Sequence, residues 1–273
     1  MSNLDFDGQA VAFERRAGLP VSASRKVAQA VLGLAEPGTL LDLGAGTGVI
    51  GRDLAASHPS YVAIDRSVSM LAVFCASMPK STDARLVAAD ADRPWPLRSS
   101  SIATVFSSRA VHLLRPGHVL GELRRVSRSE GFVLILGSVR RPRQCVRESL
   151  RRRMRELLQE QGIDGRGGRK GRRRLMERLR EMGGEPLSSV RAAEWPVEER
   201  AADSLRSWGA KNGLAGQAVA PKIRLDVLDR LESWARERFG DLEAVMQSKD
   251  HYVLEAVRFP CGIGDVPSYE SRP

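Results

Sequence analysis

The sequence has little cysteine, few aromatic residues and no long apolar run. Its three cysteines, Cys75, Cys145 and Cys261, stand far apart in 273 residues. They form neither a disulfide framework nor a pair at zinc-ligand spacing, so no metal site is expected. Aromatic residues make up 5% and build no recognisable base-stacking RNA module. The apolar run at 132–136 has five residues, against the ~20 needed to span a bilayer. The opening MSNLDFDGQA lacks the basic and apolar regions of a signal peptide. A soluble, cytoplasmic protein without membrane attachment is expected. Hydrophobic residues reach 42%, enough for a substantial core, which excludes a disordered chain.

Positive charge is plentiful, and it is concentrated. The net charge is +10, while residues 140–180 alone carry 16 Lys and Arg against 5 Asp and Glu. The remainder is close to neutral. Nearly all of this excess is arginine, whose planar fork donates in pairs to anions and phosphates. A solvated helix face is the alternative fate of such a run.

The first 140 residues alternate between apolar runs of strand length and amphipathic stretches of helical period. Strands are predicted at 39–43, 61–64, 84–89, 101–107 and 131–137. Helices are predicted at 21–34, 47–57, 67–78 and 117–126. Such alternation implies a parallel sheet with helices on both faces, and ligands bind beyond the carboxyl ends of its strands. Further on, helices are predicted at 144–159, 172–182, 197–208 and 222–239, with strands at 187–195 and 252–259. Residues 162–171, rich in glycine, read as a flexible linker. Residues 261–273 read as a loose tail.

The chemistry concentrates at strand ends. Residues 40–48, LLDLGAGTG, carry Asp42 inside a strand and then three alternating glycines. Glycine there allows dihedrals closed to other residues and a close approach of ligand to backbone. Asp65 ends the second strand, 19 residues after Gly46, and Asp90 ends the third. The first can accept from both hydroxyls of a ribose, the second from an amino group on a base. The segment GTGVIG also fits a dinucleotide fingerprint, with Asp65 near the expected spacing. Against that, Gly44 already occupies the strand end, and a dinucleotide site has no particular need for Asp42 or Asp90.

Four consecutive segments, LLDLGAGTG, VAIDRSVSML, VAADADRPWPLRSSSIATVFSSRAVHLL and GELRRVSRSEGFVLIL, resemble the class I S-adenosylmethionine-dependent methyltransferases. The likeness covers about residues 6–138. It is closest to the small-molecule branch that includes ubiquinone and menaquinone C-methyltransferases. The late YVLEAV strand resembles the family's terminal antiparallel strand. The resemblance implies an α/β Rossmann-like fold with a mostly parallel seven-stranded sheet, helices on both faces and a helical cap insertion. In that scheme 1–139 and 250–260 form the cofactor-binding core, and 140–249 form an arginine-rich helical cap with one sheet strand.

The resemblance also assigns roles around S-adenosylmethionine. Gly44, Ala45, Gly46 and Gly48 wrap its methionine end, with Asp42 behind them toward the ammonium group. Asp65 binds the ribose, with Arg66 and Met70 near the adenine. Asp90 and Ala91 meet the adenine amino edge, and Ser107 lies beside the methionine part. The family often has an acid at the start of the fourth strand, where this chain has Ala103. His112 follows the fourth strand, near the expected transfer site. It is either a general base, since imidazole titrates near neutrality, or a structural histidine. Trp95 and Trp208 are pocket-lining or packing residues, and Arg15 and Arg16 are candidates to reach the cofactor carboxylate.

The implied reaction is methyl transfer to an oxygen, nitrogen or carbon nucleophile of a small molecule, an anionic one among the candidates. The alternatives are an RNA- or protein-directed methyltransferase using the basic 140–180 segment, and a non-catalytic cofactor-binding protein. Nucleic acid is the less favoured partner. The segment after the fourth strand reads Ser107-Ser108-Arg109-Ala110, without the proline-aromatic motif of base amino-methylating enzymes.

Overall fold

The computed structural model describes residues 19–163 and 168–263. Arg15, Arg16 and the end of the predicted tail lie outside the described residues. The chain opens with α1 (Val21–Leu34), β1 (Leu40–Leu43), α2 (Gly51–Ser57), β2 (Tyr61–Asp65), α3 (Val68–Ser77) and β3 (Ala84–Ala88). It continues through β4 (Thr104–Ser108), a 3-10 turn (Val111–Leu113), α4 (Pro116–Val126) and β5 (Phe132–Arg140). Next come α5 (Val146–Glu160), α6 (Gly168–Glu181), β6 (Glu185–Pro186), β7 (Val190–Glu199) and α7 (Ala201–Gly209). The hairpin strands β8 (Gly213–Leu214) and β9 (Gln217–Ala218), then α8 (Pro221–Phe239) and β10 (Met246–Phe259), complete the order.

The main sheet has eight strands, in the order β3-β2-β1-β4-β5-β10-β6, with β7 also paired to β10. One more strand is present than the seven predicted, because the two-residue β6 adds to β10, antiparallel. The first five strands are mutually parallel, with Leu40 opposite both Tyr61 and Thr104. Their apolar runs follow from burial on both faces: β1 is buried throughout, and β5 is buried from Phe132 to Gly137. Helix α2 starts four residues later than its apolar pattern suggests. Gly46 and Gly48 adopt positive φ, which a right-handed helix cannot include.

The described residues cluster into two compact units. The first comprises residues 19–138, 168–193 and 252–263; the second comprises 139–163 and 194–251. Residues 168–193 fall within the 140–249 stretch expected to form a cap, yet they belong to the unit that holds the sheet. The reason is the stripe Leu175, Met176 and Leu179 on α6, which is buried in one cluster with Leu43, Ile64, Val111 and Leu136. The predicted linker at 162–171 is helical from Gly168 onward. Burial of that stripe outweighs the low helix propensity of Gly168 and Gly171. The stripe on α5, Val146, Leu150, Met154 and Leu157, packs in the second unit against α7 and α8. Among the described residues, no helix is long and apolar enough to cross a membrane.

Candidate active site

The turn after β1 is built on three left-handed glycines: Gly44 at φ 74°, Gly46 at φ 58° and Gly48 at φ 74°. Two of them are also sterically required. A Cβ on Gly44 would lie 2.2 Å from Ala110 Cβ, and one on Gly48 would lie 2.1 Å from the Phe74 ring. Gly46 differs, since a Cβ there would meet only Met70 Sδ, at 3.6 Å. The turn is tied to β2: Gly44 N–H donates to the Ile64 carbonyl at 2.8 Å, and Gly46 N–H donates to Asp65 Oδ2 at 2.8 Å. The other oxygen, Oδ1, accepts from Ser67 N–H at 2.9 Å. Two of the roughly four lone-pair sites of this carboxylate are thereby occupied.

Beneath the turn lies Asp42, a 2% exposed carboxyl on a strand of leucines. Tyr61 Oη donates to its Oδ2 at 2.7 Å. Burial pushes the Asp42 pKa up to about 7; the Tyr61 hydrogen bond works against this, and the Asp65 charge adds to it. The Tyr61 phenol is itself pushed well above its ordinary value by burial and then by Asp42. Tyr61 meets Phe74 edge-to-face at 6.3 Å. Gly51 completes the floor, because a Cβ there would lie 2.5 Å from Tyr61 Oη. Tyr61, Phe74 and Gly51 are absent from the sequence-based set. The sequence carries no signal for Tyr61, whose approach to Asp42 depends on the pairing of β2 with β1.

Asp90 follows β3 and is exposed. Its Oδ1 accepts from Asp92 N–H at 2.9 Å, and its carbonyl accepts from Arg93 N–H. Ala91 accepts at its carbonyl from Trp95 Nε1. The loop is anchored behind by Glu122, which takes Trp95 N–H at 2.7 Å and pairs with Arg125. Those bonds, the Arg125 one foremost, hold the Glu122 carboxyl below its usual range. Trp95 and Trp208 are both packed in cores, one in each unit. Arg66 is exposed at the end of β2, and Met70 is buried below Gly46.

Across the turn, Ser107 donates to the Leu43 carbonyl at 2.8 Å and so joins β4 to the end of β1. Next to it, the Ser108 hydroxyl meets the hydroxyl of Tyr252 on β10 at 2.5 Å. Gly137 on β5 leaves room for that ring, since a Cβ there would lie 2.2 Å from Tyr252 Oη. Arg109 adopts φ 60° at the end of β4. His112 lies in the 3-10 turn and is exposed. Desolvation first, then Arg109 and Arg172, lower its pKa below the ordinary value. Arg172, on α6, donates to the Leu136 carbonyl at 3.0 Å and pairs with Glu255 on β10.

The residues around the glycine turn fit an S-adenosylmethionine molecule. The Thr47 hydroxyl is buried and has no hydrogen-bond partner in the protein, a cost that a ligand at this turn would remove. The left-handed Gly46 leaves open space, and Asp65 and Asp90 supply acceptors for hydroxyl and amino groups. A cleft of about 500 Å³ lies elsewhere, within the second unit, floored by Leu205, Leu225, Leu228 and Leu242. Its rim charges are largely paired with one another, as in Arg206–Glu243 and Arg236–Glu232. It contains none of the strand-end carboxylates. Among the described residues, no group of three metal-ligating side chains could hold a metal ion.

A parallel sheet with a glycine turn after β1 and acids ending β2 and β3 defines a class I methyltransferase fold. Comparison with known proteins agrees. A family model described as a methyltransferase domain matches residues 41–135. A protein of Bacillus halodurans C-125, described as a candidate methyltransferase, is 16% identical with a TM-score of 0.53, over 85% of this chain and 97% of that one. A candidate type II methyltransferase from Anaeromyxobacter dehalogenans is 18% identical with a TM-score of 0.50, over 85% and 94%. A candidate methyltransferase, solved in complex with the Haloferax volcanii Trm112 methyltransferase activator, is 15% identical with a TM-score of 0.50, over 94% and 98%. No curated protein matches the sequence. Residues 41–135 thus carry the methyltransferase domain pattern, and the structure has the class I methyltransferase fold.

Proposed function

We propose that the protein transfers the methyl group of S-adenosylmethionine to an oxygen, nitrogen or carbon nucleophile of a small molecule, by in-line displacement. When bound, S-adenosylmethionine supplies a methyl group already activated on a sulfonium. The protein's part is then alignment and exclusion of water. Gly44, Ala45, Gly46, Gly48 and the Thr47 hydroxyl cradle the amino-acid end of the cofactor, with Ser107 bracing the turn. Asp42 provides a buried counter-charge for the ammonium. Asp65 uses its two remaining lone-pair sites for the ribose hydroxyls. Asp90 and Ala91 border the adenine edge, with Arg66 and Met70 on its flank.

His112 is the group that takes a proton from the acceptor. Its lowered pKa keeps the imidazole neutral at physiological pH, the form that can act as a base. The observation that carries the reading is the buried, unpartnered Thr47 hydroxyl inside a turn clamped by Asp65. The three free cysteines favour a reducing, cytoplasmic location. Calorimetry with S-adenosylhomocysteine tests the proposal. Binding lost in Asp65→Ala supports it, and the absence of binding by the wild-type protein defeats it.

A further inference from the structure

We infer that Trp95 is a positioning residue: gripped by one face of α4, it holds Asp90 in place for the adenine amino group and so gives the site a preference for adenine over hypoxanthine. The inference rests on the methyl-transfer reading above and deepens its adenine end. Asp90 opens the 90–97 loop that follows β3. Ala89 N–H donates to the Asp65 carbonyl at 3.0 Å, which ties the start of that loop to the end of β2. Asp90 Oδ1 is taken by Asp92 N–H, and among the described residues Oδ2 has no hydrogen-bond partner. Oδ2 is therefore the acceptor left for a base amino group.

A connecting loop stays mobile unless its backbone groups are tied down. Here one face of α4 ties them down in turn. Arg115, His118, Glu122 and Arg125 recur at spacings of three and four residues, which sets them on one side of the helix. Arg115 N–H donates to Asp92 Oδ1 at 2.8 Å, and His118 Nε2 donates to the Arg93 carbonyl at 2.8 Å. Glu122 Oε2 accepts from Trp95 N–H at 2.7 Å. Arg125 Nη2 donates to the Trp95 carbonyl at 2.9 Å, and its Nη1 donates to the Leu97 carbonyl at 2.7 Å. Both backbone groups of Trp95 are thus held by α4, and Glu122 and Arg125 hold each other. Trp95 is 3% exposed, in one cluster with Val119, Leu123 and Val126 of the same helix. The indole then reaches back, donating from Nε1 to the Ala91 carbonyl at 3.1 Å. Trp95 so links the helix to the residue next to Asp90. A phenylalanine would keep most of the packing and lose that link. A carboxylate fixed in this way accepts from an amino group and repels the carbonyl oxygen that hypoxanthine carries in its place.

The test uses the full-length protein and two probes, S-adenosylhomocysteine and S-inosylhomocysteine. They differ only in the base, which carries an amino group in one and a carbonyl in the other. Calorimetry of the wild type should show at least about tenfold tighter binding of the adenine probe. Trp95→Phe should cut that preference to about threefold or less, chiefly by weakening the adenine probe. Glu122→Gln, which keeps an acceptor for Trp95 N–H and weakens the grip on Arg125, should give an intermediate preference. A merely structural role for Trp95 would weaken both probes alike. A preference left unchanged in Trp95→Phe therefore overturns the inference; should that variant not fold, an unchanged preference in Glu122→Gln does so. Equal binding of the two probes by the wild type defeats the inference alone and leaves the methyl-transfer reading standing. Binding of neither probe by the wild type defeats the methyl-transfer reading itself.

Discussion

Tyr61 Oη donates a 2.7 Å hydrogen bond to Asp42 Oδ2, and both groups are sealed beneath the glycine turn. The carboxyl is held near neutrality because burial opposes its charge, and one phenolic donor only partly offsets this. For stability the sign is unfavourable. A carboxyl raised from 3.8 to about 7 favours the folded state fully only below pH ~4. That contribution is lost as pH climbs to ~7, amounting to ~4 kcal/mol. Asp42→Asn, which keeps an acceptor for Tyr61, should therefore raise the unfolding free energy at pH 8 and leave it nearly unchanged at pH 4. Urea denaturation at the two pH values checks this.

On the proposed reading, the same pair should make cofactor binding proton-linked. An ammonium placed against Asp42 would favour the carboxylate, so binding at pH 7 should release up to about half a proton. At pH 9 it should release none. Calorimetry of S-adenosylhomocysteine binding in buffers of different ionisation heat measures the number directly. Release that persists in Asp42→Asn would assign the proton to another group.

Most of the sheet was legible in the sequence, because parallel strands buried on both faces read as unbroken apolar runs, as in β5. The acids at strand ends were legible for the same reason: Asp65 and Asp90 stand where those runs stop. Residues that act across strands were not. Tyr61 reads as an ordinary strand aromatic until its hydroxyl is seen to reach Asp42 on the neighbouring strand, and Gly51 reads as a helix residue until Tyr61 and Phe74 fill the space it leaves. The 168–171 stretch was misread as linker because glycine content is local, whereas the burial of Leu175, Met176 and Leu179 that makes it helical is tertiary. Arg109 gave no signal at all, since positive φ leaves no trace in an arginine.

Gly48→Ala tests the packing under the turn. The new methyl would lie 2.1 Å from the Phe74 ring on a backbone at φ 74°, so both overlap and strain oppose it. A loss of ~2–4 kcal/mol in unfolding free energy is expected. Gly121→Ala is the control: its Cβ would meet nothing within 4 Å on α4, and helix propensity should make it neutral to ~1 kcal/mol stabilising.

Asp65→Ala removes the clamp on Gly46 and Ser67 together with the proposed ribose acceptor. Hydrogen bonds to a charged group contribute roughly 1.5–3 kcal/mol each, so affinity for S-adenosylmethionine should fall at least tenfold. Calorimetry is the readout, and an affinity within twofold of wild type would sink the assignment of this residue.

The arginine-rich segment supplies the last prediction. Many of its cations already have protein partners: Arg151 pairs with Glu148, Arg153 with Glu156 and Glu160, Arg173 with Glu177, and Arg178 with Glu181. Helices compensated within one or two turns present little uninterrupted positive surface for a phosphate backbone. A platform making six to ten phosphate contacts would lose ~10³–10⁵ in affinity between 50 and 200 mM salt. Filter binding to total RNA at the two salt concentrations should show only weak association at 50 mM and none at 200 mM. Neutralising Arg151, Arg152, Arg153, Arg173 and Arg174 to glutamine should leave S-adenosylhomocysteine affinity unchanged, since none of them lies among the residues of the glycine turn. Tight RNA binding with the steep salt slope, removed by those substitutions, would turn the substrate assignment from a small molecule to a nucleic acid.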